Sequence, residues 1–186
     1  HEHYYYWLLT PLVRIFSNYG LEVIEAEEDP IHGGTLRLFI THKSPSNKIR
    51  FKENFLKIEQ NFDFQKASKD IEEKIIRDKE WLKSIKGGIA FFGAAAKGCV
   101  YLNALKINSS NFPKSYIIDD TLKKQNLYMP GTGFQICPRE RLLKEQPENL
   151  IILAHNFKKY IINSLRPEYK GNIITMLPKI EIDTYI

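Results

Sequence analysis

GIAFFGAAAKGCVYLNAL, residues 88–105, joins a short apolar run to a loop of small residues and then to a segment with helical apolar spacing. Ile89-Ala90-Phe91-Phe92 is wholly apolar, as expected of a strand buried on both faces. The alternation repeats downstream: SYIID (115–119) as strand, a polar turn region, PRERLLKEQ (138–146) as short helix, NLIILA (149–154) as strand, FKKYIINSL (157–165) as helix and NIITML (172–177) as strand. Parallel strands need crossover connections of this kind. Residues 87–186 are therefore predicted to be α/β, a Rossmann-like doubly wound, mostly parallel sheet covered on both faces.

Upstream, residues 4–19 place Leu8, Leu12, Ile15 and Phe16 at helical spacing, with Pro11 near the start and Gly20 as a stop. LEVIEAEEDP (21–30) and GGTLRLFITHK (33–43) read as an antiparallel hairpin. A helix and a two-stranded ribbon are too small to stand alone. Residues 44–65 are polar and read as linker, with one short helix around FKENFLKIE (51–59). From Ser68 to Lys86, Ile71, Ile75, Leu82 and Ile85 recur at helical spacing, and Gly87-Gly88 closes that helix. The expected organisation is thus residues 1–43, a helix plus hairpin; 44–86, a linker and connecting helix; and 87–186, the doubly wound domain.

The chain has 186 residues, 43% of them hydrophobic, enough for one sizeable core and too many for a disordered chain. Cys99 and Cys137 are its two cysteines, which suits neither a zinc site nor a disulfide framework. No run approaches the roughly 20 apolar residues of a membrane span, and no leader pattern opens the chain, so a soluble cytoplasmic protein is expected. Residues 1–42 hold two arginines against six acids, and the remainder holds 25 basic and 16 acidic residues. That step marks a junction near Lys43. Because the basic residues are interspersed with Glu and Asp, a phosphorylated small molecule is favoured over nucleic acid as partner.

In doubly wound sheets ligands bind at the carboxyl ends of strands, where a glycine-rich turn enters a helix. Gly93, Ala94, Ala95, Ala96, Lys97 and Gly98 hold that position. The spacing is neither the dinucleotide fingerprint nor a P-loop. Two readings stand level: small residues where helix meets sheet with Lys97 solvated, or a close backbone approach to a ligand with Lys97 meeting a phosphate. Asp119, about 20 residues after the glycines, stands where such units place a ribose-binding acid, and Asp is also common at strand ends. Asn156 follows the third strand, able to pin a ligand carbonyl or to cap the next helix. His1, Glu2 and His3 put two imidazoles and a carboxylate in one tripeptide, either an exposed terminus or a piece of an acid/base site. Their spacing does not make a metal cage, and no metal site is predicted.

The order HEH, GLEVIEAEEDPIHGGTLRLFI, AFFGAAAKG with LNAL, YIIDD with KKQNLYMPGT, and PENLIILAHNF resembles the sugar C-methyltransferases, which use S-adenosylmethionine to methylate a ring carbon of nucleotide-linked deoxysugars. The resemblance covers nearly the whole chain. It implies that residues 1–43 are the end of a methyltransferase domain and residues 87–186 the Rossmann-like C-terminal domain. It further implies that S-adenosylmethionine is bound by the upstream domain rather than by this chain, and that the isolated chain is inactive. His3 becomes the candidate general base, with Glu2 and His1 orienting it or sharing the proton. Gly93 to Gly98, with Asp119 and Asn156, becomes the surface facing the nucleotide-linked sugar. A non-catalytic nucleotide-binding or subunit-docking module of the same fold is the alternative.

Overall fold

The computed structural model describes residues 5–30, 34–50 and 53–184. The chain divides into two compact units, His1–Ser68 and Lys69–Ile186. The first comprises α1 (Leu9–Asn18), the strands β1 (Leu21–Asp29) and β2 (Thr35–His42), and α2 (Glu53–Gln60). β1 and β2 pair antiparallel from Leu21 opposite His42 to Asp29 opposite Thr35, with a bulge between Val23 and Glu25. The bulged residue is Ile24, whose carbonyl accepts the Arg50 amide at 2.7 Å.

Leu9, Val23 and Ala26 form a small core, with Val13, Phe16, Leu36, Leu38, Phe55 and Leu56 packed against it. The apolar face of α1 is therefore Leu9, Val13 and Phe16 rather than the expected Leu8, Leu12, Ile15 and Phe16. Leu8 and Ile15 lie on the exposed side. Both sets satisfy helical spacing, and the hairpin decides which is buried. α1 has no side-chain cap of its own. Instead Glu59 of α2 accepts the Leu9 and Thr10 amides, at 2.5 and 2.9 Å. That carboxylate satisfies two of the free donors of the helix start, and Pro11, which has none to satisfy, fits the same turn.

α3 (Phe64–Ser84) leads into the second unit. It begins four residues before the expected Ser68, because the Asp63 carboxylate accepts the Lys66 amide at 2.9 Å and caps the helix there. Ile75, Leu82 and Ile85 pack on the sheet as their spacing predicts, and Trp81 joins them. Ile71 does not; it is exposed, lying beyond the part of the helix that meets the sheet. Then follow β3 (Ile89–Phe92), α4 (Ala96–Ala104), β4 (Ile117–Ile118), β5 (Ile136–Cys137), α5 (Arg139–Glu145), β6 (Asn149–Ile152), α6 (Lys158–Leu165), β7 (Asn172–Thr175) and β8 (Glu181–Asp183). No described helix is long and apolar enough to cross a membrane.

The sheet order is β5-β4-β3-β6-β7-β8, parallel throughout except for β8, which runs antiparallel to β7. This is the doubly wound arrangement expected from the sequence. β5 and β8 are the strands that the pattern missed: β4, also two residues, sits in the apolar run Tyr116-Ile117-Ile118, whereas Gln135 and Pro138 bound Ile136-Cys137 and acids flank Ile182. Side-chain alternation splits the core into two layers. Ile89, Phe91, Ile117 and Ile151 pack with α3 and α4 on one face; Ala90, Phe92, Ile118, Leu150 and Ile152 pack with α5 and α6 on the other. Both layers are needed to hide a strand such as IAFF, all four residues of which are buried.

Candidate functional site

The chain leaves β3 toward β4 on one side of it and later returns with β6 on the other. The connections therefore diverge at the carboxyl ends of β3 and β6 and open a crevice. A cleft of about 400 Å³ lies there, lined by Phe92, Gly93, Ala95, Asp119, Asp120, Thr121, Ala154, Phe157, Tyr160 and Ile161. A second cleft, about 480 Å³, lies at the opposite end of the strands between Leu82, Lys83, Gly88, Phe112 and Lys114. Only the first lies at the switch point and includes the glycine loop.

Gly93 ends β3 with φ at +102°, and a side chain there would bring Cβ to 2.8 Å from the Ala154 Cβ. Glycine is required both by the backbone conformation and by the approach of the β6 loop. Gly98 serves differently. It is buried in α4, where an added Cβ would lie 2.7 Å from the Leu153 Cβ, so it lets the helix lie close on the sheet. Of the six small-loop residues singled out by the sequence, Gly93 and Ala95 line the cleft, Gly98 faces the sheet, and Lys97 is exposed in the first turn of α4.

Asp119 follows β4 and is buried, and its carboxylate is already engaged. Oδ2 accepts the Ala94 amide at 2.8 Å and Oδ1 the Thr121 amide at 2.9 Å. The Lys124 ammonium sits 3.3 Å from Oδ2 and donates to the Ala94 carbonyl at 3.0 Å. Burial opposes ionisation of this carboxyl, but the hydrogen bonds from Thr121 and Ala94 and the charge of Lys124 outweigh it and hold the group below its usual range. Asp119 thus ties the β3–α4 loop to the β4 end. Beside it, Arg139 grips Asp120 with Nη2 at 2.5 Å and Nε at 3.2 Å, and donates Nη1 to the Ser164 carbonyl at 3.1 Å. Its guanidinium also lies 5.7 Å from the centroid of the Phe92 ring.

Asn156 is exposed on a 3-10 turn, His155–Phe157, that leads into α6, and it does not line the cleft. It is not the helix cap either: the N-cap position is Phe157, with no side-chain cap bond. His1, Glu2 and His3 lie outside the described residues. Sequence reasoning missed Lys124, the Asp120–Arg139 pair and the two aromatic rims, Phe157 and Tyr160. Lys124 had a local signal in its position just after the strand end. Arg139 had none, since 19 residues of chain separate it from Asp120.

Residues 30–178 match the family described as the C-methyltransferase C-terminal domain. The chain is also 23% identical over 191 residues to a C-methyltransferase, NovU, of Streptomyces niveus, an alignment covering 96% of this chain and 45% of that protein. The chain thus spans about half the length of the curated relative it matches. With a doubly wound sheet, a glycine turn at its switch point and a match across most of its length, the chain belongs to the C-methyltransferase C-terminal domain family.

Proposed function

We propose that this chain is the C-terminal region of a cytoplasmic, S-adenosylmethionine-dependent methyltransferase that adds a methyl group to a ring carbon of a nucleotide-linked keto-deoxysugar, and that this region holds the nucleotide end of the substrate. The observation that carries the reading is the cleft at the switch point, where Gly93 admits close backbone approach between β3 and β6. The family relationship supplies the reaction class. In this reading Asp119 anchors the β3–α4 loop through Ala94, Thr121 and Lys124, and the methyl donor is assigned to an upstream domain.

In this reading a base removes the proton next to the ketone, and the resulting enolate carbon forms a bond to the methyl group as the methyl–sulfur bond breaks. His3 is the proposed base, and Glu2 and His1 orient it. In this reading the pyrophosphate lies at the start of α4, where the helix end and the exposed Lys97 favour an anion. Lys97→Ala in the whole protein should weaken binding of the nucleotide-linked sugar by about 1.5 kcal/mol, the low end for a charged hydrogen bond because Lys97 is exposed. Titration calorimetry reads this directly. Equal affinity in variant and parent would leave Lys97 a solvated surface charge.

A further inference from the structure

Phe157 and Tyr160 are large aromatic side chains left 61% and 69% exposed. They stand three residues apart where the turn after β6 enters α6, a spacing that places side chains side by side on a helix surface. Neither belongs to the core beneath, which α6 supplies with Ile161, Ile162 and Leu165. Both line the switch-point cleft, together with the small residues Gly93 and Ala95. The two acids of the cleft are each held by a cation, Asp119 by Lys124 and Asp120 by Arg139. A cleft lined by two exposed rings and small residues, whose acids are each paired with a cation, suits a flat, uncharged ring more than a bare anion or cation.

We infer that Phe157 and Tyr160 form the stacking wall for the nucleobase of the bound nucleotide and so determine affinity for the base, independently of the phosphates. The inference rests on the nucleotide-sugar reading above. Stacking tolerates different bases because each has a π-face, and it is worth roughly 1–3 kcal/mol per base, equivalent to about five- to 150-fold in affinity.

The experiment is titration of the whole protein with uridine, thymidine, guanosine and adenosine diphosphates, and separately with inorganic pyrophosphate. Phe157→Leu and Tyr160→Leu keep apolar bulk at positions that the core does not use, so thermal unfolding should stay at the parental temperature. Each should weaken the best-bound nucleoside diphosphate about five- to 150-fold and leave pyrophosphate affinity unchanged, while Tyr160→Phe keeps nucleotide affinity. Parental nucleotide affinity in both leucine variants would overturn the stacking wall while leaving the nucleotide reading in place. Parental affinity together with a fall in unfolding temperature would overturn it in favour of rings that pack against another part of the protein. Failure of the parent to bind any of the four nucleotides would overturn both the wall and the reading on which it rests.

Discussion

Asp119 shows what one side chain contributes at the site. The sequence offered it as a ribose-binding acid, and the structure gives it the task of holding the Ala94 amide and the Thr121 amide while Lys124 bridges to the same loop. Asp119→Ala would leave the Ala94 and Thr121 amides without their acceptor and the Lys124 ammonium without its counter-charge, a loss of about 1–3 kcal/mol measurable by urea unfolding. Asp119→Asn keeps the shape and an acceptor oxygen and should lose less. The carboxyl titrates below its usual value in the folded chain. Its contribution is therefore fully present above the unfolded value, roughly pH 3.9, and is lost as pH falls through the lower folded value. Parental stability should show this loss on acidification below about pH 4, and the difference between parent and Asp119→Asn should shrink over that range. A parent-minus-variant difference that stays constant from pH 6 to pH 3 would contradict the assigned hydrogen bonds.

At the scale of elements, the close packing of α4 on the sheet depends on Gly98. Helix propensity predicts that Gly98→Ala gains about 1 kcal/mol. The packing predicts the reverse, because the new methyl group would lie 2.7 Å from the Leu153 Cβ in the helix–sheet interface. Overpacking of this kind costs about 1–3 kcal/mol, so a net loss of stability is expected, read as a lower urea midpoint without a change in slope. A raised midpoint would show that α4 lifts freely from the sheet. The buried strand IAFF and the helices after it were legible because apolar runs and helical periods extend over several residues. β5 and β8 were not, since they lie in no continuous apolar run and pair only at the sheet edges with β4 and β7. The true faces of α1 and α3 also waited for their partners: Ile15 and Ile71 share the apolar spacing of their neighbours yet meet no core.

At the scale of the whole molecule, the proposed chemistry depends on a base that must act together with a donor held elsewhere in the protein. If His3 removes the proton beside the ketone, His3→Ala in the whole protein should slow methyl transfer about 10²–10⁴-fold with little change in substrate affinity. Exchange of the substrate's acidic carbon-bound hydrogen with deuterated water should slow equally. Exchange at the parental rate would exclude His3 as the base. The alternation of β3, β4, β6 and β7 with helices, the two-sided burial of the sheet and the glycine turn at the end of β3 were determined by the sequence alone, because hydrophobic periodicity and backbone freedom are local properties written in consecutive residues. The cleft itself was decided only by the tertiary structure. Its parts come from the ends of β3, β4 and β6 and the start of α6, and Arg139 reaches Asp120 from the start of α5. Such meetings depend on sheet order and strand register, which no single stretch of the chain encodes.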